Sequence, residues 1–147
     1  MEIEKLSLRI DEDPLNQLVA GRLAAIPNLK ELAIRFEPGV AWLKGKYFAL
    51  LYPVGFQVAF TPRLLNQKIE LSMDNLSISG MPASLFKNML VEFLQDQLGG
   101  IHGVTVSDRG ITIDPGALLE KEGIPLKGEI RSLAIEKGFA RLEAGPA

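Results

Sequence analysis

The chain has 147 residues, 47% of them hydrophobic and 23% charged, enough apolar surface for one domain over residues 1–147 and enough charge to solvate it. A net charge of −2 withholds the basic field that recruits phosphate backbones, so no nucleic-acid partner is expected. With no cysteine in the sequence, disulfides, thiolate nucleophiles and zinc–thiolate centres are excluded.

Leu6, Leu8 and Ile10 alternate with Ser7 and Arg9, which predicts a first strand. Asp11-Glu12-Asp13-Pro14 then opens a helix, with an Asp cap, a first-turn proline and negative charge at the positive end of the dipole. Leu15, Leu18, Val19, Leu23 and Ile26 form its apolar stripe, and Pro27-Asn28 stops it. Leu32, Ile34 and Phe36 give a second strand that ends in a Glu37-Pro38-Gly39 turn.

Residues 40–51 are strand-like with apolar groups on both parities, and Gly45 in their middle suggests a bulge. Val54, Phe56, Val58 and Phe60 alternate cleanly, followed by a turn over Pro62 to Gln67. Ile69, Leu71 and Met73 alternate next, after which the apolar set shifts to Leu76 and Ile78. That jump of parity across Asp74-Asn75 predicts a β-bulge.

Gly80-Met81-Pro82 leads into a helix from about Pro82 to Leu98, apolar around most of its girth and ended by Gly99-Gly100. Val104 and Val106, a turn at Ser107 to Gly110, then Ile111 and Ile113 predict a hairpin. Asp114-Pro115-Gly116 caps a short helix carrying Leu118 and Leu119, and Gly123 ends it. Leu126, Ile130, Leu133 and Ile135 precede a turn at Glu136-Lys137-Gly138, and Phe139 to Leu142 forms the last strand. The class is α+β: a strongly curved antiparallel sheet wrapped around a long helix, with a further helix near the N-terminus and a short one near the C-terminus.

Met1-Glu2-Ile3-Glu4-Lys5 has neither the basic nor the apolar region of a secretory signal. The longest apolar run, over residues 48–56, is interrupted by Pro53 and Gly55 and is too short to span a bilayer. The chain as given is expected in the cytoplasm, with an extracytoplasmic place open if a leader has been trimmed.

Chemistry-bearing clusters are sparse. His102, the sole histidine, lies near Ser107 and Asp108, but all three share one turn, and a triad is recognised by spatial convergence. Asp11, Glu12 and Asp13 read as a helix cap rather than a metal site, and Gly99-Gly100-Ile101-His102-Gly103 follows a helix, where phosphate-binding glycine loops follow a strand. No enzyme activity, metal or cofactor is expected. Six of the ten aromatics fall between Trp42 and Phe60. Lys44 and Lys46, set among Trp42, Tyr47 and Phe48, suit a solvated strand or a membrane edge, where amphipathic rings settle.

The strand 43–47 (Leu-Lys-Gly-Lys-Tyr), the run 54–60 (Val-Gly-Phe-Gln-Val-Ala-Phe), and Ile69-Glu70-Leu71 leading to Leu76-Ser77-Ile78-Ser79-Gly80-Met81-Pro82 carry a likeness of pattern. So does the tail from Val104 to Leu142. In these features the chain resembles the small bacterial members of the tubular lipid-binding (TULIP-like) superfamily, of the LmeA and YpmS type. The resemblance implies a long helix cradled by a curved sheet, with an apolar groove for acyl chains. By matching position, Phe56, Val58 and Phe60 on the sheet and Phe86, Met89, Leu90 and Phe93 on the helix would line it. The same residues fit an ordinary core equally well.

The expected function is therefore non-catalytic binding of a lipid or fatty acyl ligand, with Trp42 and Phe48 added to the lipid-contacting set and Lys44, Lys46 and Arg63 placed at the headgroup. Peripheral membrane contact goes with it. The alternative is a protein-interaction or homo-oligomerising module with a solid core and no ligand, in which an exposed apolar strand or helix face pairs with a partner or with a second copy as a homodimer.

Overall fold

The computed structural model describes residues 5–23, 29–49, 52–78, 83–124 and 128–146. They form nine strands and three helices in an α+β arrangement: β1 (Leu6–Asp11), α1 (Glu12–Leu23), β2 (Leu29–Glu37), β3 (Val40–Ala49), β4 (Tyr52–Leu65), β5 (Lys68–Ile78), α2 (Ala83–Leu98), β6 (Val104–Ser107), β7 (Gly110–Ile113), α3 (Pro115–Lys121), β8 (Glu129–Glu136) and β9 (Phe139–Gly145). The strands make two antiparallel sheets rather than one. Six run in the order β2-β3-β4-β5-β7-β6, and three in the order β1-β9-β8.

Register assigns each residue of the large sheet to a face, because directly opposed residues of an antiparallel pair share a side. Leu43 pairs with Val58, Gly45 with Phe56, Phe60 with Met73 and Leu71 with Ile111. These residues define the inner face. Val58 is 0% exposed, and Phe56, Phe60 and Leu43 are buried with it. α2 lies on this face and adds Leu90 and Leu94 to the same cluster, with Val91, Phe93 and Leu98 packed at its margin. Each such side chain removed from water contributes about 1.5–3 kcal/mol.

The small sheet covers the remainder of that inner face. Ile135 and Ala140 meet Phe36, while Ile130 and Leu142 meet Ile69, Leu64 and Ile113. Two hairpin tips lock the layers reciprocally. Gly39 N–H donates to the Ile135 carbonyl at 2.8 Å, and Gly138 N–H donates to the Phe36 carbonyl at 3.0 Å. Both tips are turns that the sequence announces, at Glu37-Pro38-Gly39 and Glu136-Lys137-Gly138.

Other local expectations hold. Asp114 accepts from Ala117 N–H with Pro115 opening α3. Gly123, at φ 76°, closes α3, with Gly123 N–H donating to the Glu120 carbonyl and Ile124 N–H to the Leu119 carbonyl. The parity jump in β5 is real: Gln57 pairs with Ser77 but Ala59 with Asp74, so β5 carries one extra residue there.

Three expectations are corrected and one is refined. Neither sheet is strongly curled and the helices are short; α2 has 16 residues. The small sheet shares the work of covering the large one, so no single layer has to wrap the helix. Gly45 does mark a bulge, though the extra residue belongs to β2: Lys30 pairs with Lys46 but Ala33 with Lys44, so Glu31 and Leu32 together oppose Gly45, while β3 and β4 pair without interruption across it. Its role is the close approach of Phe56. The turn expected over Pro62 to Gln67 shrinks to Asn66 and Gln67, both at positive φ, and Pro62 stays in β4 opposite Leu71. The proline is tolerated because the pairing of β4 with β3 ends at Phe60, leaving no ladder bond on that side for its missing N–H to make. Asp11 closes β1 and pairs with Arg9 instead of capping α1. The residues Ile26, Pro27, Asn28, Gly80, Met81, Pro82 and Leu126 lie outside the described set.

Candidate functional site

The residues expected to share one lipid site divide between two faces of the large sheet. Phe56, Val58 and Phe60 point inward to α2. Leu90 is buried against them, Phe93 is half-buried at their margin, and Met89 is half-buried on the same helix. Phe86 lies in the first half of α2, and its side chain is outside the described set. The protein's own atoms therefore cover the sheet positions assigned to a groove.

Trp42 and Phe48 occupy the opposite, outer face, because β3 alternates and its odd residues are spent on the core. Trp42 pairs with Ala59, Lys44 with Gln57, Lys46 with Gly55 and Phe48 with Pro53. Lys44 and Lys46 are exposed, Trp42 is half-buried, and Phe48 keeps 38% of its surface in water. The four side chains alternate along one strand as aromatic, cation, cation, aromatic. Trp42 and Phe48 cannot line the seam that holds Phe56, since one sheet thickness separates them.

β2 enlarges this outer face with two cations that the sequence reading did not single out. Lys30 pairs with Lys46 and Arg35 with Trp42 in register. Arg35 alternates with the apolar Ile34 and Phe36, which was the available signal; Lys30 shares their parity and reaches this face only through the bulge between it and Ala33. Two carboxylates temper the charge: Lys46 Nζ lies 3.0 Å from Glu31, and Arg35 Nε 2.8 Å from Glu37. Glu31 stands at φ 55° in a β2 bulge between Lys30 and Ala33. Lys44 and Lys30 form no ion pair with any described residue.

Arg63 does not join this group. It lies four residues beyond Ala59 on β4, and its Nη2 donates to Glu70, its cross-strand partner, at 2.7 Å. A guanidinium so engaged has less to offer a headgroup. His102, Ser107 and Asp108 are exposed, and no hydrogen bond joins the three; Ser107 Oγ instead accepts from Arg109 N–H at 3.2 Å. Among the described residues, no group of three or more His, Cys, Asp or Glu stands close enough to hold a metal ion. Among them, too, no helix is long and apolar enough to cross a membrane.

Comparison with known proteins adds no relative: no family model, curated protein or solved structure matches the chain.

Proposed function

We propose that the protein is a non-catalytic lipid-contacting protein that meets an anionic lipid surface with the outer face of β3. One observation carries the reading: Trp42 and Phe48 flank Lys44 and Lys46 on the solvent side of a single strand. The bar they form is about 20 Å long at strand rise. Its rings suit the boundary between headgroups and acyl chains. Each cation near an anionic surface adds about 1 kcal/mol, and Lys30 and Lys44 bring charge that no described carboxylate neutralises. The molecule as a whole is slightly acidic, so the attraction is local and salt-sensitive.

An acyl chain held in a groove between α2 and the large sheet is the finer form of this reading. It would require Leu90 and Leu94 to leave Phe56, Val58 and Phe60, at about 1.5–3 kcal/mol for each side chain uncovered. Surface contact needs no such opening, and it is the form we adopt. A second reading, an interaction module with a solid core, is favoured by the same packed cluster.

Vesicle flotation tests the proposal. The protein is expected to float with phosphatidylcholine vesicles containing phosphatidylglycerol, to stay behind with phosphatidylcholine alone, and to be released by high salt. The Lys44→Glu, Lys46→Glu double variant should lose most of the bound fraction. Absence of flotation with the anionic vesicles at low ionic strength would end the reading.

A further inference from the structure

Two open sheets have four edges, and three of them here carry backbone groups capped by hydrogen bonds from other elements. On β2, Asn16 takes both backbone groups of Ile34: its Nδ2 donates to the carbonyl at 2.9 Å and its Oδ1 accepts from the N–H at 2.6 Å. Glu12 accepts from Phe36 N–H, and Gly138 N–H occupies the Phe36 carbonyl. On β6, Gln95 Nε2 donates to the Val106 carbonyl at 3.3 Å. On β8, Gln67 Oε1 accepts from Ile130 N–H at 2.6 Å, and the Ile135 carbonyl accepts from Gly39. Such capping is how folded proteins blunt an edge.

The fourth edge, β1, has no counterpart among the described residues. Its phase is fixed by its neighbour: Leu6, Leu8 and Ile10 oppose Ala144, Leu142 and Ala140, and Glu12 N–H continues the even-numbered series by donating to the Gly138 carbonyl at 3.1 Å. In an alternating antiparallel ladder, the backbone groups of Ser7, Arg9 and Asp11 therefore face away from β9. The same strand exposes Leu8 at 43% and Ile10 at 39%; among the described residues of the other strands only Phe48 and Leu65 are large apolar side chains exposed to that degree.

We propose that the edge of β1, which no described residue caps, binds a second copy of this chain, β1 against β1 in antiparallel register with the two-fold axis at Leu8. The inference rests on the interaction-module reading and is independent of lipid contact. Register is chosen by the residues themselves. With Leu8 opposite its own copy, Lys5 meets Asp11, Leu6 meets Ile10 and Ser7 meets Arg9, so every pair is complementary. Moving the axis to Arg9 sets arginine against arginine, and moving it to Ser7 sets Lys5 against Arg9; like charges directly opposed destabilise a pair. The outward-facing groups of Ser7, Arg9 and Asp11 are also those that a Leu8-centred ladder would bond. The result is a continuous six-stranded sheet, with Leu6, Leu8 and Ile10 of both copies forming one apolar row.

A residue on a two-fold axis faces itself, and that gives the test. Light scattering on a dilution series should find twice the 16.1 kDa chain mass for the native protein. Leu8→Lys and Leu8→Glu should each be monomeric, and their equimolar mixture should recover the dimer; Leu18→Lys, at a position 60% exposed on α1, should remain dimeric. The chain has no cysteine, so Leu8→Cys offers a second route that spares the strand. Mild oxidation should couple it to a disulfide dimer, and Leu18→Cys should not couple. A native protein that stays monomeric, a Leu8→Lys dimer, or equal coupling of the two cysteine variants would overturn the proposal. Vesicle flotation of Leu8→Lys should be unchanged, which separates failure of this inference from failure of the lipid reading.

Discussion

Phe56 lays its ring over Gly45, the residue directly opposite it on β3. A Cβ added at Gly45 would lie 2.8 Å from Phe56 Cζ and 2.7 Å from Leu32 Cδ1. Gly45→Ala is therefore expected to destabilise the protein by about 1–3 kcal/mol, the usual range for overpacking a closed core. Chemical denaturation of Gly45→Ala beside Gly45→Ala, Phe56→Leu checks the cause. The double variant should recover part of the loss.

Gly110 is held more tightly still. Its φ is 142°, and an added Cβ would stand 1.9 Å from the Leu71 carbonyl oxygen, a backbone atom that cannot swing aside. Gly110→Ala should leave little soluble folded protein. Gly21, on α1 with nothing within 4 Å of the added carbon, is its opposite. Gly21→Ala should raise stability by about 0.5–1 kcal/mol through helix propensity. Thermal melts of the two, run side by side, check both signs.

The edge cap of β2 predicts a different signature. Asn16→Ala strips both polar partners from Ile34, and each part-buried group left unmet costs about 1–3 kcal/mol where water cannot reach it. Hydrogen exchange is the direct readout: protection of the Ile34 amide should fall more than that of amides in β4, at the sheet's centre. Uniform loss across both strands would assign Asn16 a merely global role.

Much of this architecture can be read from the residues. Alternation located the strands, the shift from Met73 to Leu76 announced the β5 bulge, and Asp114-Pro115 with Gly123 bracketed α3. The misreadings share a cause, since each depended on what lies across from a residue. Gly45 signals a bulge, but only its partners show that the extra residue sits in β2 and that Phe56 closes over the glycine from β4. Trp42 and Phe56 look like one aromatic cluster until register puts them on opposite faces. The division into two sheets was hidden because β1 finds its partner in β9, at the far end of the chain, and neither strand names the other. Asn16 and Gln67 likewise read as ordinary helix and turn residues. Their work as edge caps exists only once the fold brings Ile34 and Ile130 to them.

Core packing gives a further check. Leu90 is buried among Phe56, Val58 and neighbouring side chains, so Leu90→Ala should cost about 2–5 kcal/mol in equilibrium unfolding. If that space were instead a lipid groove, the variant would be nearly neutral in the absence of ligand. The same denaturation curves, recorded with and without added fatty acid, distinguish a filled interior from a receptive one.

Trp42 is the chain's one tryptophan, and it stands on the face assigned to lipid. Its emission, recorded while vesicles containing phosphatidylglycerol and brominated acyl chains are added, reports that contact without a label. The expected result is a shift to shorter wavelength with quenching by the bromines, both reversed by high salt. An emission that neither shifts nor quenches while the protein is in excess lipid at low ionic strength would contradict lipid contact through the outer face of β3.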